Sequence, residues 1–221
     1  MSMELLKYLE AFITPERKQR FEEILQYRTR HITVAIQDVF QVHNTSAVIR
    51  SCDIFGVQDA HIIEERFGKR LDKNIAMGAQ KWVSVHRYQS TRSCIVKLKD
   101  QGYRIVATTP HQATCNLFDL DIEQPTVFFF GTEKEGLSEE VLEAADERLC
   151  IPMFGFTESL NISVSAAIIL QHITTRLRAS DMDWKLKEEE LMELRLDWTK
   201  KSVRSIDDVL SRFEKQVVDK Q

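Results

Sequence analysis

The sequence predicts an α/β fold, with a parallel sheet covered by helices on both faces and helical extensions at the two ends. Three observations predict it. Short apolar runs alternate with helical patterns from residue 32 to about residue 178. The runs are continuously apolar, as in His31-ITVAIQDV and Thr126-VFFFG, which suits strands buried on both sides. Beyond residue 180 the chain turns highly charged, with apolar residues at helical spacing. This divides it into a partly basic helical segment 1–30, an α/β domain 31–179 and a helical extension 180–221.

Composition sets the outer limits. At 221 residues, 43% hydrophobic and 29% charged, the chain can bury one sizeable core plus appendages. No run approaches membrane-span length, and MSMELLKYLEAF lacks the basic-then-apolar order of a signal peptide. Cys52, Cys94, Cys115 and Cys150 are scattered singly, so neither a zinc site nor a disulfide framework is expected. A reducing cytoplasm suits that pattern. The net charge of −4 argues against a surface coated in positive charge, while leaving room for a local basic patch.

In chain order, residues 2–12 read as a helix with Leu5, Leu6, Leu9 and Phe12 on one face. Thr14 caps a second helix, 15–27, with Pro15 at its first position and Phe21, Ile24 and Leu25 turned inward. That helix displays Arg17, Lys18 and Arg20, and Arg28, Arg30 and His31 follow it. Both a solvated helix face and a phosphate-contacting arm fit this stretch, the most basic of the chain. Strands are then expected at 31–39, 59–65, 82–88, 103–109, 126–131 and 147–153. The intervening helices are expected at 44–55, 91–101, 138–145 and 161–178. Trp184, Leu186, Leu191, Leu194 and Trp198 recur at helical spacing, and Ser205 opens a last amphipathic helix. Parallel sheets bind ligands beyond the carboxyl ends of their strands, which points to the loops after 37, 108, 130 and 151.

Three motifs fall in or near those loops. His43-NTSAVIRSCDIFGV places Asn44 as an N-cap, with Arg50 nearly two turns down the helix. Six steps of about 100° offset the two by about 120°, so they converge only if the long Arg side chain reaches back. Phe128-FFGTEKEGLSEE ends a strand at Gly131, turns through Glu133 and starts a helix after Gly136 with Ser138 as cap. IPMFGFTESLNISVSAAIIL, from Ile151, runs from a strand end halted by Pro152, past a permissive Gly155, into a small-residue helix. Ser159, Asn161 and Ser163 are capping types at its start. Ser159 has no His–Asp partner pattern that would make it a nucleophile. His61, His86 and His111 read as surface or satisfied core groups, and His43 adjoins Asn44.

Together, in this order and spacing, the motifs resemble the SpoU/TrmH group of the SPOUT superfamily, the knotted RNA 2′-O-ribose methyltransferases. The resemblance covers roughly residues 15–178. It implies a trefoil knot at the C-terminal end of the catalytic domain, a rare exception to unthreaded topology. It implies S-adenosylmethionine bound in a bent form, with Thr108, Gly131, Ile151 and Leu160 lining the pocket. It also implies a homodimer with a shared substrate site; no metal is expected, since the chain shows no His/Cys cluster. The family's motif-one arginine acts directly in methyl transfer, which carries over to Arg50, while Asn44, Glu133, Ser159 and Asn161 match the other polar positions. Because guanidinium stays protonated, Arg50 suits holding a phosphate and orienting the hydroxyl better than serving as a base.

His43-Asn44 and Lys81-Trp82-Val83 are similar to the branch that methylates a guanosine in the tRNA D-loop. In that reading Arg17, Lys18, Arg20, Arg28 and Arg30 contact RNA, and Arg66, Lys69, Arg70 and Lys73 form a second basic loop. Ribosomal RNA is the alternative substrate, and a catalytically silent RNA-binding protein is the alternative class. A dinucleotide-binding dehydrogenase-like domain is excluded, since QDVFQVHNTS after the first strand contains no glycine.

Overall fold

The computed structural model describes residues 2–38, 42–65, 78–111 and 113–218. They form two units, Thr29–Trp184 and a second one made of Met1–Arg28 with Lys185–Gln221. The basic loop expected at Arg66, Lys69, Arg70 and Lys73 lies outside the described residues.

The larger unit is built on seven parallel strands: β1 (Ile32–Gln37), β2 (Asp59–Ile63), β3 (Ser84–Tyr88), β4 (Arg104–Thr108), β5 (Cys115–Asn116), β6 (Thr126–Phe130) and β7 (Glu147–Cys150). Their order across the sheet is β3-β2-β1-β6-β4-β7-β5. Every pairing is parallel, with Val34 of β1 beside Ala60 on one side and Phe128 on the other. Chain order reverses direction between β1 and β6, which is where open α/β sheets leave a crevice.

Continuous burial of the central strands follows from helices on both faces. Ile32, Val34, Ile36, Phe128 and Phe130 point to one face, against Val48, Ile49 and Cys52 of α3 (Val42–Phe55) and Ala166, Ile169, Leu170 and Ile173 of α6 (Ile162–Arg178). Ala35, Val127 and Phe129 point to the other, against Cys94, Ile95 and Leu98 of α4 (Thr91–Asp100) and Val141 of α5 (Glu139–Ala144). The strand period of two divides neighbouring residues between two apolar layers. Small side chains let α6 lie close to α3, with Ala166 wholly buried.

Several boundaries differ from the sequence-based expectation. Helix α3 starts at Val42, so Asn44 sits inside the first turn rather than capping it, and its side chain is turned to another partner. The strand expected from residue 82 starts at Ser84, two residues later, after a 3-10 turn at Ala79–Lys81 whose C-cap is Trp82. The two-residue edge strand β5 was not expected, being too short to leave a pattern. Gly155 does not use left-handed angles; among the described residues the glycines that do are Gly56, Gly78, Gly102 and Gly136.

The smaller unit contains α1 (Ser2–Glu10), α2 (Pro15–Leu25), α7 (Glu188–Ser202) and α8 (Ile206–Val218). Thr14 caps α2 by accepting from the Arg17 N–H at 3.2 Å. Leu9, Val203 and Val209 form its core with Leu5, Tyr8 and Leu210 packed around them. Arg195 of α7 ties the two ends of the chain together, bonding Glu10 at 2.6 Å and Glu22 at 2.9 Å.

Candidate active site

A cavity of about 370 Å³ opens beyond the carboxyl ends of β6, β4 and β7, three strands adjacent in the sheet. Thr108, Gly131, Ile151 and Leu160, expected from motif position to lie together, all line it. Glu133 and Ser159 line it too. The strand ends explain this convergence, because adjacent parallel strands deliver the loops that follow them to one edge. The walls combine Leu137, Leu149, Met153 and Ile162 with polar Thr132, Lys134, Glu158 and Ser165. Thr108 uses its hydroxyl to bond the Phe129 carbonyl at 2.7 Å, fixing β4 to β6.

The loop after β6 is tightly closed. Thr132 and Gly136 exchange backbone hydrogen bonds at 2.9 and 3.0 Å, and the Thr132 hydroxyl accepts the Glu135 N–H at 3.0 Å. A Cβ on Gly131 would stand 2.2 Å from the Gly136 carbonyl carbon, so only glycine fits there. Gly136 takes φ +71, a left-handed angle that costs glycine nothing.

Glu133, at the turn of this loop, joins the three motifs. Its Oε1 accepts from Asn44 Nδ2 at 2.9 Å and from Asn161 Nδ2 at 2.7 Å. Asn161 Nδ2 also lies 3.1 Å from Asn44 Oδ1, closing a triangle of polar groups. Asn161 caps α6 with its other end, since Oδ1 accepts the Ser163 N–H at 2.9 Å. Asn44 is buried, while Glu133 and Asn161 are exposed, so the triangle has a dry side and a wet side.

The remaining expected residues divide. Arg50 is exposed on α3, outside both the cavity lining and the triangle. It makes no hydrogen bond or ion pair among the described residues, which leaves its guanidinium available. Arg17 and Arg20 are exposed on α2, Lys18 is half-buried, and Arg20 meets Glu23 at 3.3 Å. Two of the basic residues expected to face RNA are otherwise engaged. Arg28 is buried with its guanidinium 5.2 Å from the Trp198 ring centre. Arg30 pairs with Asp59 at 2.8 Å. Proximity in sequence to a basic run concealed both, because burial depends on partners far along the chain.

His61 and His86 are satisfied groups, the first on the Tyr88 hydroxyl at 3.0 Å and the second on Asp59 at 2.8 Å. Burial lowers the His61 pKa to about 4, and the nearby His86 adds to the shift. Burial works to raise the Asp59 carboxyl, but His86 and Arg30 outweigh it and hold it below the usual carboxylate range. Among the described residues no group of His, Cys, Asp and Glu is placed to hold a metal ion. No described helix is long and apolar enough to cross a membrane. Sequence reasoning missed Pro110, His111, Lys134 and Glu158 in the cavity; the last two look like ordinary surface residues.

Comparison with known proteins supplies the rest. The chain is 42% identical over 197 residues to the tRNA (guanosine(18)-2′-O)-methyltransferase of Borreliella burgdorferi, covering 89% of this chain and 90% of that one. It is similar to the crystal structure of the Aquifex aeolicus TrmH/SpoU tRNA modifying enzyme, with TM-score 0.76, 32% identity, and 85% and 97% of the two chains covered. The fold is also that of the SpoU methyltransferase AviRb from Streptomyces viridochromogenes, whose structure is in complex with AdoMet (TM-score 0.64, 23% identity, 72% and 65% covered). The profile of the SpoU rRNA Methylase family matches residues 31–171, and the chain belongs to that family.

Proposed function

We propose that this protein transfers a methyl group from S-adenosylmethionine to the ribose 2′-hydroxyl of guanosine 18 of tRNA, the nucleotide its relatives are named for. The observation that carries the reading is the Asn44–Glu133–Asn161 triangle, whose carboxylate also lines the cavity after β4, β6 and β7.

The cavity suits the cofactor. About 370 Å³ falls in the range of ligand pockets, and aliphatic walls with a few polar groups match an adenosyl ring system joined to an amino acid. When bound, S-adenosylmethionine supplies an electrophilic methyl carbon on a sulfonium. Thr108, Gly131, Ile151 and Leu160 hold it, largely through main-chain groups, and Ser159 closes the pocket near α6. Glu133 and Asn161 keep the two loops in register with α3. Arg50, exposed on α3 and permanently charged, grips the phosphate beside the target ribose and orients the hydroxyl.

The reading extends to the assembly. A trefoil knot brings the segment after β7 through the loop near β6. Two copies pair through the apolar residues left open on α3 and α6, namely Ile54, Val164 and Ile168. The basic residues of α2, exposed Arg17 and Arg20 with half-buried Lys18, contact tRNA backbone in the cytoplasm. The test is methyl transfer from labelled S-adenosylmethionine to unmodified total tRNA and, separately, to ribosomal RNA. Label in tRNA is expected; label in ribosomal RNA alone would replace the substrate, and label in neither would contradict the reading.

A further inference from the structure

We propose that Gln37 is a positioning residue that sets the loop after β6 for both the cofactor cavity and the polar triangle. The inference rests on the function proposed above. Gln37 sits at the carboxyl end of β1, next to β6 in the sheet, and is 5% exposed. It lies outside the cofactor cavity and touches none of the groups assigned to the reaction. Its amide is nonetheless fully used. Nε2 donates to the Ser138 hydroxyl at 2.7 Å and to the Thr91 hydroxyl at 2.8 Å, and Oε1 accepts the Ser138 N–H at 2.9 Å.

Those bonds matter because of what the loop lacks. A second cavity, of about 470 Å³, lies on its other side and shares Thr132, Glu135, Gly136 and Leu137 with the first. The loop is therefore a partition with open space on both flanks, held by the bonds of Glu133 to Asn44 and Asn161 and by its two stems. One stem is β6. The other is Ser138, which precedes the six-residue α5 and makes no side-chain cap bond to it. Ser138 instead donates its N–H to Gln37 Oε1, and its hydroxyl oxygen accepts from Gln37 Nε2. Since the loop is closed on itself by the Thr132–Gly136 bonds, a shift at Ser138 moves it as a body, and Glu133 with it.

The position also requires an amide. The Thr91 hydroxyl donates to Glu65 Oε2 at 2.9 Å, and the Thr91 N–H bonds the same oxygen at 3.0 Å. With its proton committed, Thr91 can only accept from residue 37, and a carboxylate there would meet a lone pair and the charge of Glu65. Asp38 adds a further charge close by, holding the Glu65 N–H at 2.8 Å.

The experiment compares the full-length native protein with Gln37→Leu and Gln37→Glu, measuring kcat and the KM for S-adenosylmethionine and for tRNA. Gln37→Leu is expected to raise the cofactor KM about tenfold, with the tRNA KM within about twofold, since both hydrogen bonds to the loop stem at Ser138, and the one to Thr91 that anchors the amide, are lost. Gln37→Glu gains a pH dependence that a packing role alone would not produce. Protonated, the introduced carboxyl supplies the missing donor; ionised, it repels. Its kcat/KM relative to native should fall about tenfold as pH rises from about 5.5 to 8.5, above the ordinary glutamate range. An unchanged cofactor KM in folded Gln37→Leu, or a flat ratio for Gln37→Glu, overturns the proposal. Should Gln37→Leu fail to fold, the Gln37→Glu profile decides alone. A native protein without activity would instead refute the function on which the proposal rests.

Discussion

Asn161 performs two tasks with one side chain, capping α6 through Oδ1 and holding Glu133 and Asn44 through Nδ2. The cap was legible in the sequence, because capping types before an apolar run have a local meaning. The reach to Asn44, 117 positions away, was not legible, since it depends on sheet order; the family resemblance only placed both among the polar motif positions. Arg50 is the converse case: its motif position points to the reaction, yet within one chain it has no partner among the described residues. Arg50→Ala should lower the single-turnover rate on tRNA by about a hundredfold or more, while cofactor affinity by calorimetry stays within about twofold. Equal loss of both would place Arg50 in the cofactor pocket instead. His61 makes a separate prediction about stability. With its folded pKa near 4 against an ordinary 6.5, the unfolded chain takes up a proton that the folded protein refuses. The stability is intact above pH 6.5 and is lost as pH falls toward 4, by up to about 3 kcal/mol. Urea midpoints measured across that window should fall less steeply in His61→Gln; an identical slope would show that His61 does not cause the loss.

At the scale of elements, the loop after β6 is the part most constrained by close approach. The sequence exposed its glycines but could not distinguish the essential ones from Gly155. Gly131→Ala would drive a Cβ to 2.2 Å from the Gly136 backbone, and the loop must open to admit it. Gly155→Ala meets only the Thr157 nitrogen, at 4.0 Å, and needs no unusual φ. Calorimetric titration with S-adenosylmethionine should show affinity falling at least about a hundredfold, or loss of fold, for the first and a native value for the second. Native-like binding by Gly131→Ala would contradict the cavity assigned here. The long apolar strands were readable because burial on both faces leaves no alternation to misread. β5, with two residues, and the start of α3, which precedes its apparent cap, were not.

For the whole molecule, sequence reading separated two helical extensions, whereas the structure joins them into one unit, through contacts such as Arg195 with Glu10 and Glu22. Such pairing of distant ends leaves no local signature. The same unit also corrects the electrostatic reading of the basic run, because Arg28 is spent on Trp198 while Arg17 and Arg20 remain at the surface. A net charge of −4 is thus compatible with RNA binding through a small basic face. The central claim concerns a single oxygen atom, and the most direct measurement compares two tRNA transcripts that differ only there. One carries guanosine at position 18, the other 2′-deoxyguanosine at the same position. Labelled S-adenosylmethionine should transfer its methyl group to the first and leave the second unlabelled, whereas equal label in both would place the reaction on another atom.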